Sequence, residues 1–214
     1  MRAAKEAGVN KFVHVSIANP DENSPLAYYK GKGILENYLM GLNMPYAIVR
    51  PTVIFGREDI LMNNIAWFLR KFPIFGIPGN GDYRIQPIFV EDMADLLIQC
   101  AQASDNIVVD AVGPEVFTFR EIVQLIANKI GSKTKIISVP PWVAFVALSL
   151  LGHFVRDRIL TKEEIDGLMA DLLASVKAPT GKVRFSQWLE ENNREMGDHY
   201  ASELKRHFIC NNGR

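Results

Sequence analysis

Two cysteines, Cys100 and Cys210, are all that this 214-residue chain contains. That is too few for a disulfide framework and points to a reducing compartment, with the cytoplasm as the expectation. Net charge is missing as well: 24 basic side chains balance 24 acidic ones. Nothing electrostatic therefore favours nucleic acid or acidic lipid as a partner. No apolar run reaches the roughly twenty residues that span a bilayer. The longest, Trp142 to Leu151, is closed off by Pro140-Pro141 before it and Gly152-His153 after it. Glu6, Gly8 and Lys11 interrupt any apolar signal-peptide core. The four histidines are scattered without metal-ligand spacing, so no metal is expected. A helix start is also lacking. Met1 to Ala7 reads as the last turns of a helix ended by Gly8, and a core strand follows at once. The expectation is the back half of an α/β domain.

What is present is an ordinary globular composition, 48% hydrophobic and 22% charged. Lys11-Phe-Val-His-Val-Ser-Ile17 predicts a buried strand. A polar loop, Asn19 to Pro25, leads into a helix over about 26–41, and Tyr46-Ala-Ile-Val-Arg50 predicts a strand stopped at Pro51. This β–α–β spacing suits a right-handed crossover within a parallel sheet. Further helices are predicted over 60–71 and 91–102, and strands over 106–111 and 134–139. Thr118 with Glu121, and Thr161 with Glu164, read as capping boxes, the second opening a helix through Leu173. Phe185 to Phe208 reads as mostly helical. Strands give way to helices after about residue 115, which predicts a half-domain over 1–115 and a helical lobe over 116–214. The apolar run 142–151 reads as a buried or partner-facing helix, with a peripheral membrane contact as the alternative.

The candidate chemistry lies early in the chain. Tyr28 and Lys32 stand at i and i+4 and share one helix face. An ammonium beside a phenol favours the phenolate and predicts a lowered tyrosine pKa, suited to proton transfer at a carbonyl or alcohol. Ser16 sits at the carboxyl end of a predicted parallel strand, where α/β ligand sites form. Tyr-x-x-x-Lys alone is expected by chance in roughly one such chain in three. The order is more specific: strand-end serine, loop, Tyr-x-x-x-Lys helix, then a strand ending in Arg50-Pro51.

Four segments carry a family resemblance: Phe12-Val-His-Val-Ser16, Tyr28-Tyr-Lys-Gly-Lys32, Ile48-Val-Arg-Pro-Thr-Val-Ile-Phe-Gly56 and Gln86-Pro-Ile-Phe-Val-Glu-Asp-Met-Ala94. Together they resemble the extended and atypical short-chain dehydrogenase/reductase superfamily. The nearest members are NAD-dependent epimerase/dehydratase-like proteins related to the 39-kDa accessory subunit of respiratory complex I. The resemblance implies an α/β fold: the C-terminal half of a Rossmann-like parallel sheet plus a mainly helical C-terminal lobe. It implies Tyr28 as proton donor or acceptor, Lys32 on the nicotinamide ribose, and Ser16 orienting the substrate oxygen. Pro51, Thr52 and Val53 would lie against the nicotinamide. In relatives acting on nucleotide sugars, an arginine near Arg84 meets a substrate phosphate; a solvated hairpin charge is the alternative.

The family's Gly-rich dinucleotide turn is not found. Gly31-Lys-Gly33 lies inside a helix, and Gly79-Asn-Gly81 is a turn with no helix after it. Residues 1–115 read as a partial NAD(P)-binding domain without its Gly-rich first half; NAD or NADP is the cofactor the resemblance implies for a full-length form, with weak or no binding expected of this chain alone. The function implied is an NAD(P)-dependent oxidoreductase or sugar-nucleotide epimerase/dehydratase-like protein, in truncated form, acting on a small molecule such as a nucleotide sugar. A non-catalytic accessory or assembly protein, or an inactive fragment, is the alternative, so enzyme status stays open. Strand 11–17 would lack a neighbour on one side and is expected to self-associate. Asp92 reads as a charge satisfying the first amides of its own helix.

Overall fold

The computed structural model describes residues 1–155, 157, 159, 161–202 and 204. In chain order its elements are α1 (Arg2–Glu6), β1 (Phe12–Val15), α2 (Ala27–Met40), β2 (Tyr46–Pro51), β3 (Val53–Phe55), α3 (Leu61–Lys71) and β4 (Ile74–Pro78). There follow β5 (Arg84–Ile85), β6 (Pro87–Phe89), α4 (Val90–Gln102), β7 (Ile107–Ala111), β8 (Phe117–Thr118) and α5 (Phe119–Lys129). The last are β9 (Lys135–Val139), α6 (Pro141–Val155), α7 (Lys162–Met169) and α8 (Phe185–Asn192).

Two compact units interleave along the chain. The first takes Met1–Gly56, Arg84–Val116 and Asp171–Phe185; the second takes Arg57–Tyr83, Phe117–Ala170 and the described residues from Ser186 onward. The division drawn at 115/116 from the sequence follows a different line. Segment 57–83 groups with the later helices, and segment 171–185 returns to the first unit.

The first unit is built on a three-stranded parallel sheet in the order β1-β2-β7. Its two faces follow from strand alternation. Odd-numbered Ala47 and Val49 pack with Met93 and Cys100 of α4 and with Ala111, joined by Val13, Leu96, Leu97, Ile107 and Val109. Even-numbered Ile48 packs with Leu39 of α2 and Met44, joined by Phe12 and Tyr46. Helices on both faces are the usual cover for a parallel sheet, because its crossovers place them there. The β1 ladder runs past its last assigned residue, with Ser16 N donating to Val49 O and Ala18 N to Pro51 O, both at 2.8 Å. Segment 171–183 lies across the far ends of this sheet. Asn19 Nδ2 donates to Leu172 O and Ala174 O at 2.9 Å each. Ser175 Oγ donates to Asp110 at 2.5 Å. Asp92 holds the same segment by accepting from the Lys182 and Val183 amides at 2.7 and 2.8 Å. The expected helix-terminal duty of Asp92 is thus replaced by a long-range one.

The second unit holds the parallel pair β4–β9 among helices. Both capping boxes form as the sequence reads, at Thr118–Glu121 and Thr161–Glu164. Helix α7 ends at Met169, short of Leu173, before Asp171 takes a left-handed φ of 60°. Helix α8 ends at Asn192; residues 203 and 205–208 of the longer predicted helix lie outside the described residues. In α6, Ala144 is buried, while Trp142 and Leu150 are 70% and 69% exposed. Among the described residues, no helix is long and apolar enough to cross a membrane.

Candidate active site

Helix α2 reaches β1 because the chain before it turns tightly. Leu26 N donates to Ser24 Oγ at 3.2 Å, and Asp21 N to Tyr29 O at 3.4 Å. Gly33 makes that approach possible: a Cβ there would stand 2.5 Å from Glu22 N. Gly33 is therefore a packing residue of the helix, while a Cβ at Gly31 would meet nothing within 4 Å; the Gly31-Lys-Gly33 run, inside α2, is no phosphate cradle.

This packing brings Lys32 to the end of β1. Its Nζ donates to Val15 O at 3.1 Å and lies 5.7 Å from the centroid of the Tyr28 ring, within cation–π range. Tyr28 is 58% exposed and meets Tyr29 edge-on at 5.9 Å. Ser16, next to Val15, is buried, and its Oγ has no hydrogen-bond partner. The structure thus brings Tyr28, Lys32 and the strand end bearing Ser16 together. The phenol differs from the expectation: partial burial pushes the Tyr28 pKa up rather than down. Burial also pulls the Lys32 ammonium down, against the opposing pull of Glu36. An i, i+4 spacing fixes which residues meet, but the dielectric around them decides the sign.

On the same side of the sheet runs a seam of charge. Glu36 accepts from Arg50 Nε at 3.1 and 3.2 Å and from its terminal nitrogen at 2.5 Å. The Arg50 pKa is raised mainly by this fork, with Asp110 adding a smaller pull. Asp110 lies opposite Arg50 in the β2–β7 register. His14 lies two residues before Ser16, and its Nε2 is shut from solvent without a partner. Its pKa is lowered by burial and by Lys32, with Glu36 opposing. Glu36, Arg50, Asp110 and His14 were not singled out from sequence. The spacing of Lys32 and Glu36 at i, i+4, and the alternation of His14 with Ser16, were the available signals.

Pro51, Thr52 and Val53 sit where β2 hands over to β3, at the carboxyl edge of the sheet. Pro51 is buried and accepts from Ala18; Val53 opens β3 opposite Pro87. The Thr52 hydroxyl donates to Gln86 O. Arg84 is elsewhere engaged: its guanidinium grips Asp171 at 2.5 to 3.1 Å. Among the described residues, no group of His, Cys, Asp and Glu is placed to hold a metal.

No protein-family model matches the chain. Over 180 residues it is 29% identical to NADH dehydrogenase (ubiquinone) 1 alpha subcomplex subunit 9, mitochondrial, of Dictyostelium discoideum, covering 81% of this chain and 50% of that protein. A nucleoside-diphosphate-sugar epimerase from Staphylococcus aureus shares the fold with a TM-score of 0.66 at 17% identity, covering 88% of this chain and 67% of that one. The UDP-glucose 4-epimerase of Thermus thermophilus, solved with NAD, gives a TM-score of 0.54 at 19% identity, covering 82% and 68%. The chain spans about half the length of the curated relatives it matches.

The fold is shared with solved nucleotide-sugar epimerases: parallel strands with helices on both faces, as in Rossmann-like folds. In sequence, the chain is similar to the Dictyostelium discoideum subunit 9 and to the mitochondrial NADH-ubiquinone oxidoreductase 40 kDa subunit of Neurospora crassa, at 25% identity to the latter over 84% of this chain and 48% of that protein. The cytoplasmic localisation is corrected by the same findings, because these relatives are mitochondrial by name. Scarce cysteine reports a reducing environment, and more than one compartment provides that.

Proposed function

We propose that this chain carries the proton-transfer centre of an NAD(P)-dependent oxidoreductase or nucleotide-sugar epimerase/dehydratase-like protein. Tyr28 is the proton donor and acceptor, Lys32 its charged neighbour, and Ser16 the group that orients the substrate oxygen. One observation carries the reading. The Lys32 ammonium lies over the Tyr28 ring and touches the last carbonyl of β1, beside a buried serine hydroxyl that no protein group satisfies. Buried polar groups without partners are rare and mark places where a ligand or water completes the bonding.

These residues fit the nicotinamide-ribose end of a dinucleotide. Lys32 would turn from Val15 O to a ribose hydroxyl, and Pro51, Thr52 and Val53 would flank the nicotinamide. The dinucleotide, when bound, supplies or accepts the hydride. Tyr28, kept protonated by its raised pKa, gives its proton to a substrate carbonyl oxygen, and the nearby ammonium steadies the phenolate left behind. Arg84 reaches a substrate phosphate only by leaving Asp171. No Gly-rich strand–turn–helix occurs among the described residues, so the pyrophosphate lacks the cradle of amides that normally holds it.

The test is saturation-transfer NMR of this chain with NADH and NADPH, paired with calorimetry. Weak binding is expected, with transfer concentrated on the nicotinamide and its ribose and diminished in Lys32→Ala. Low-micromolar dissociation overturns the expectation of weak binding, and transfer confined to the adenine ring, or none, overturns the reading. A second reading is a non-catalytic accessory role. It is favoured by the accessory-subunit relatives and by the exposed Trp142 and Leu150, which offer a protein or membrane surface a contact through 142–151. It predicts no nicotinamide transfer at all.

A further inference from the structure

Segment 171–175 crosses the carboxyl ends of all three strands of the first unit's sheet, the place where α/β ligand sites form. It is fastened at each. Past β1, Asn19 Nδ2 donates to Leu172 O and Ala174 O. Past β2, Gln86 O accepts the Thr52 hydroxyl, and the Gln86 amide donates to Leu173 O at 2.9 Å. On β7, Asp110 accepts from Ser175 Oγ. Ser175 N adds a bond to Gln86 Oε1 at 3.1 Å. None of these bonds uses Arg84 or the Asp171 side chain. Asp171 heads the strap with a left-handed φ of 60°, a backbone that glycine takes without steric cost. Three donors of one residue converge on its carboxylate: Arg84 N at 2.7 Å, Nε at 2.9 and 3.1 Å, and a terminal nitrogen at 2.5 Å. Both side chains stay open to solvent, 49% for Arg84 and 39% for Asp171. The same fork holds the Asp171 carboxyl below its ordinary range, so it is charged at neutral pH.

A guanidinium fork beside an amide N–H is a seat for an oxyanion, carboxylate or phosphate alike. We propose that Asp171 is an internal plug in an Arg84 anion seat, displaced when the phosphate of a diphosphate-bearing ligand enters. The proposal rests on the nucleotide-sugar reading above, which supplies the arginine–phosphate contact; the competing carboxylate is the addition. Displacement is cheap for two reasons. An exposed ion pair contributes little to stability. The strap also keeps its own fastenings when Asp171 lets go, so only a side chain has to turn. The plug sets a threshold. A carboxylate tethered beside the fork acts at high effective concentration and turns away weakly charged anions. A diphosphate brings more charge and more acceptor oxygens to the same donors and takes the seat.

The test titrates inorganic pyrophosphate into this chain carrying isotope-labelled arginine and aspartate. NMR follows the Arg84 Nε–H and the Asp171 carboxyl carbon, with exposed Arg57 reporting non-specific anion effects in the same samples. In the wild type both signals are expected to move along one binding curve while Arg57 stays nearly still. Asp171→Gly suits the left-handed backbone and removes the plug. It is expected to bind about tenfold tighter at Arg84, as a site closed about nine-tenths of the time does once opened. Asp171→Asn, which keeps the shape without the charge, falls between. Asp105→Asn removes the same charge at the amino end of β7 and changes binding less than about twofold, because salt screens a remote surface charge. Equal affinity in the wild type and Asp171→Gly overturns the proposal, as does binding that survives in Arg84→Ala. So does an Asp171 carboxyl signal that stays still at saturation in the wild type, a readout that needs no variant to fold. None of these results touches the dinucleotide test above, which reads the nicotinamide beside Lys32.

Discussion

Beneath α4, the β1-β2-β7 sheet presents Val13, Ala47, Val49, Val109 and Ala111 to Met93, Leu96, Leu97 and Cys100, with no charged group in the cluster. Beneath α2, the same strands present His14, Ser16, Arg50 and Asp110 towards Lys32 and Glu36. One residue of register separates the two worlds, since alternate side chains leave opposite faces. The α4 face is held by packing alone. The α2 face begins with packing around Leu39, Met44 and Ile48 and turns polar towards the carboxyl ends of the strands. Polar residues there are costly to bury unless paired. They are concentrated at the carboxyl edge of the strands, where α/β ligand sites commonly form.

Four single substitutions, the first with a second-site partner, break or sharpen that contrast, in descending order of expected effect. Arg50→Met strands the Glu36 carboxylate, whose side chain is 3% exposed. Breaking such a pair one partner at a time costs about 3–5 kcal/mol, and urea unfolding should show it. Adding Glu36→Met should recover most of the loss. On the apolar face, Met93→Ala opens a cavity and costs about 2–3 kcal/mol, unchanged across pH. His14 gives a smaller effect with a pH signature. Its folded pKa lies below the ordinary 6.5, so the unfolded chain takes up the proton more readily. The associated stability is present above pH 6.5 and lost as pH falls through the folded value. Thermal melts of His14→Gln should lack that slope. Arg84→Ala, removing an exposed pair with Asp171, should leave unfolding curves superimposable on wild type.

Local pattern carried much of this molecule. Alternation in 11–17 and 46–50 gave the paired parallel strands, and the capping boxes at Thr118 and Thr161 formed as spelled. The Tyr28–Lys32 spacing brought the ammonium to the ring. What the sequence hid depends on distant partners. Arg84 meets Asp171 and Asp92 meets the amides of Lys182 and Val183, because segment 171–185 returns to the first unit. No periodicity announces such a return. Burial was hidden too: the raised Tyr28 pKa and the orphaned Ser16 and His14 atoms follow from solvent exclusion, which a linear spacing cannot express.

Lys32 has one more consequence. In a parallel ladder, residues alternate in the direction their backbone groups face. Ser16 and Ala18 turn theirs to β2, so Val15 turns its carbonyl to the other side, where β1 has no neighbour among the described residues. The Lys32 ammonium sits on that carbonyl. It is a guard on an open strand edge, the position where lysine commonly discourages another strand from adding.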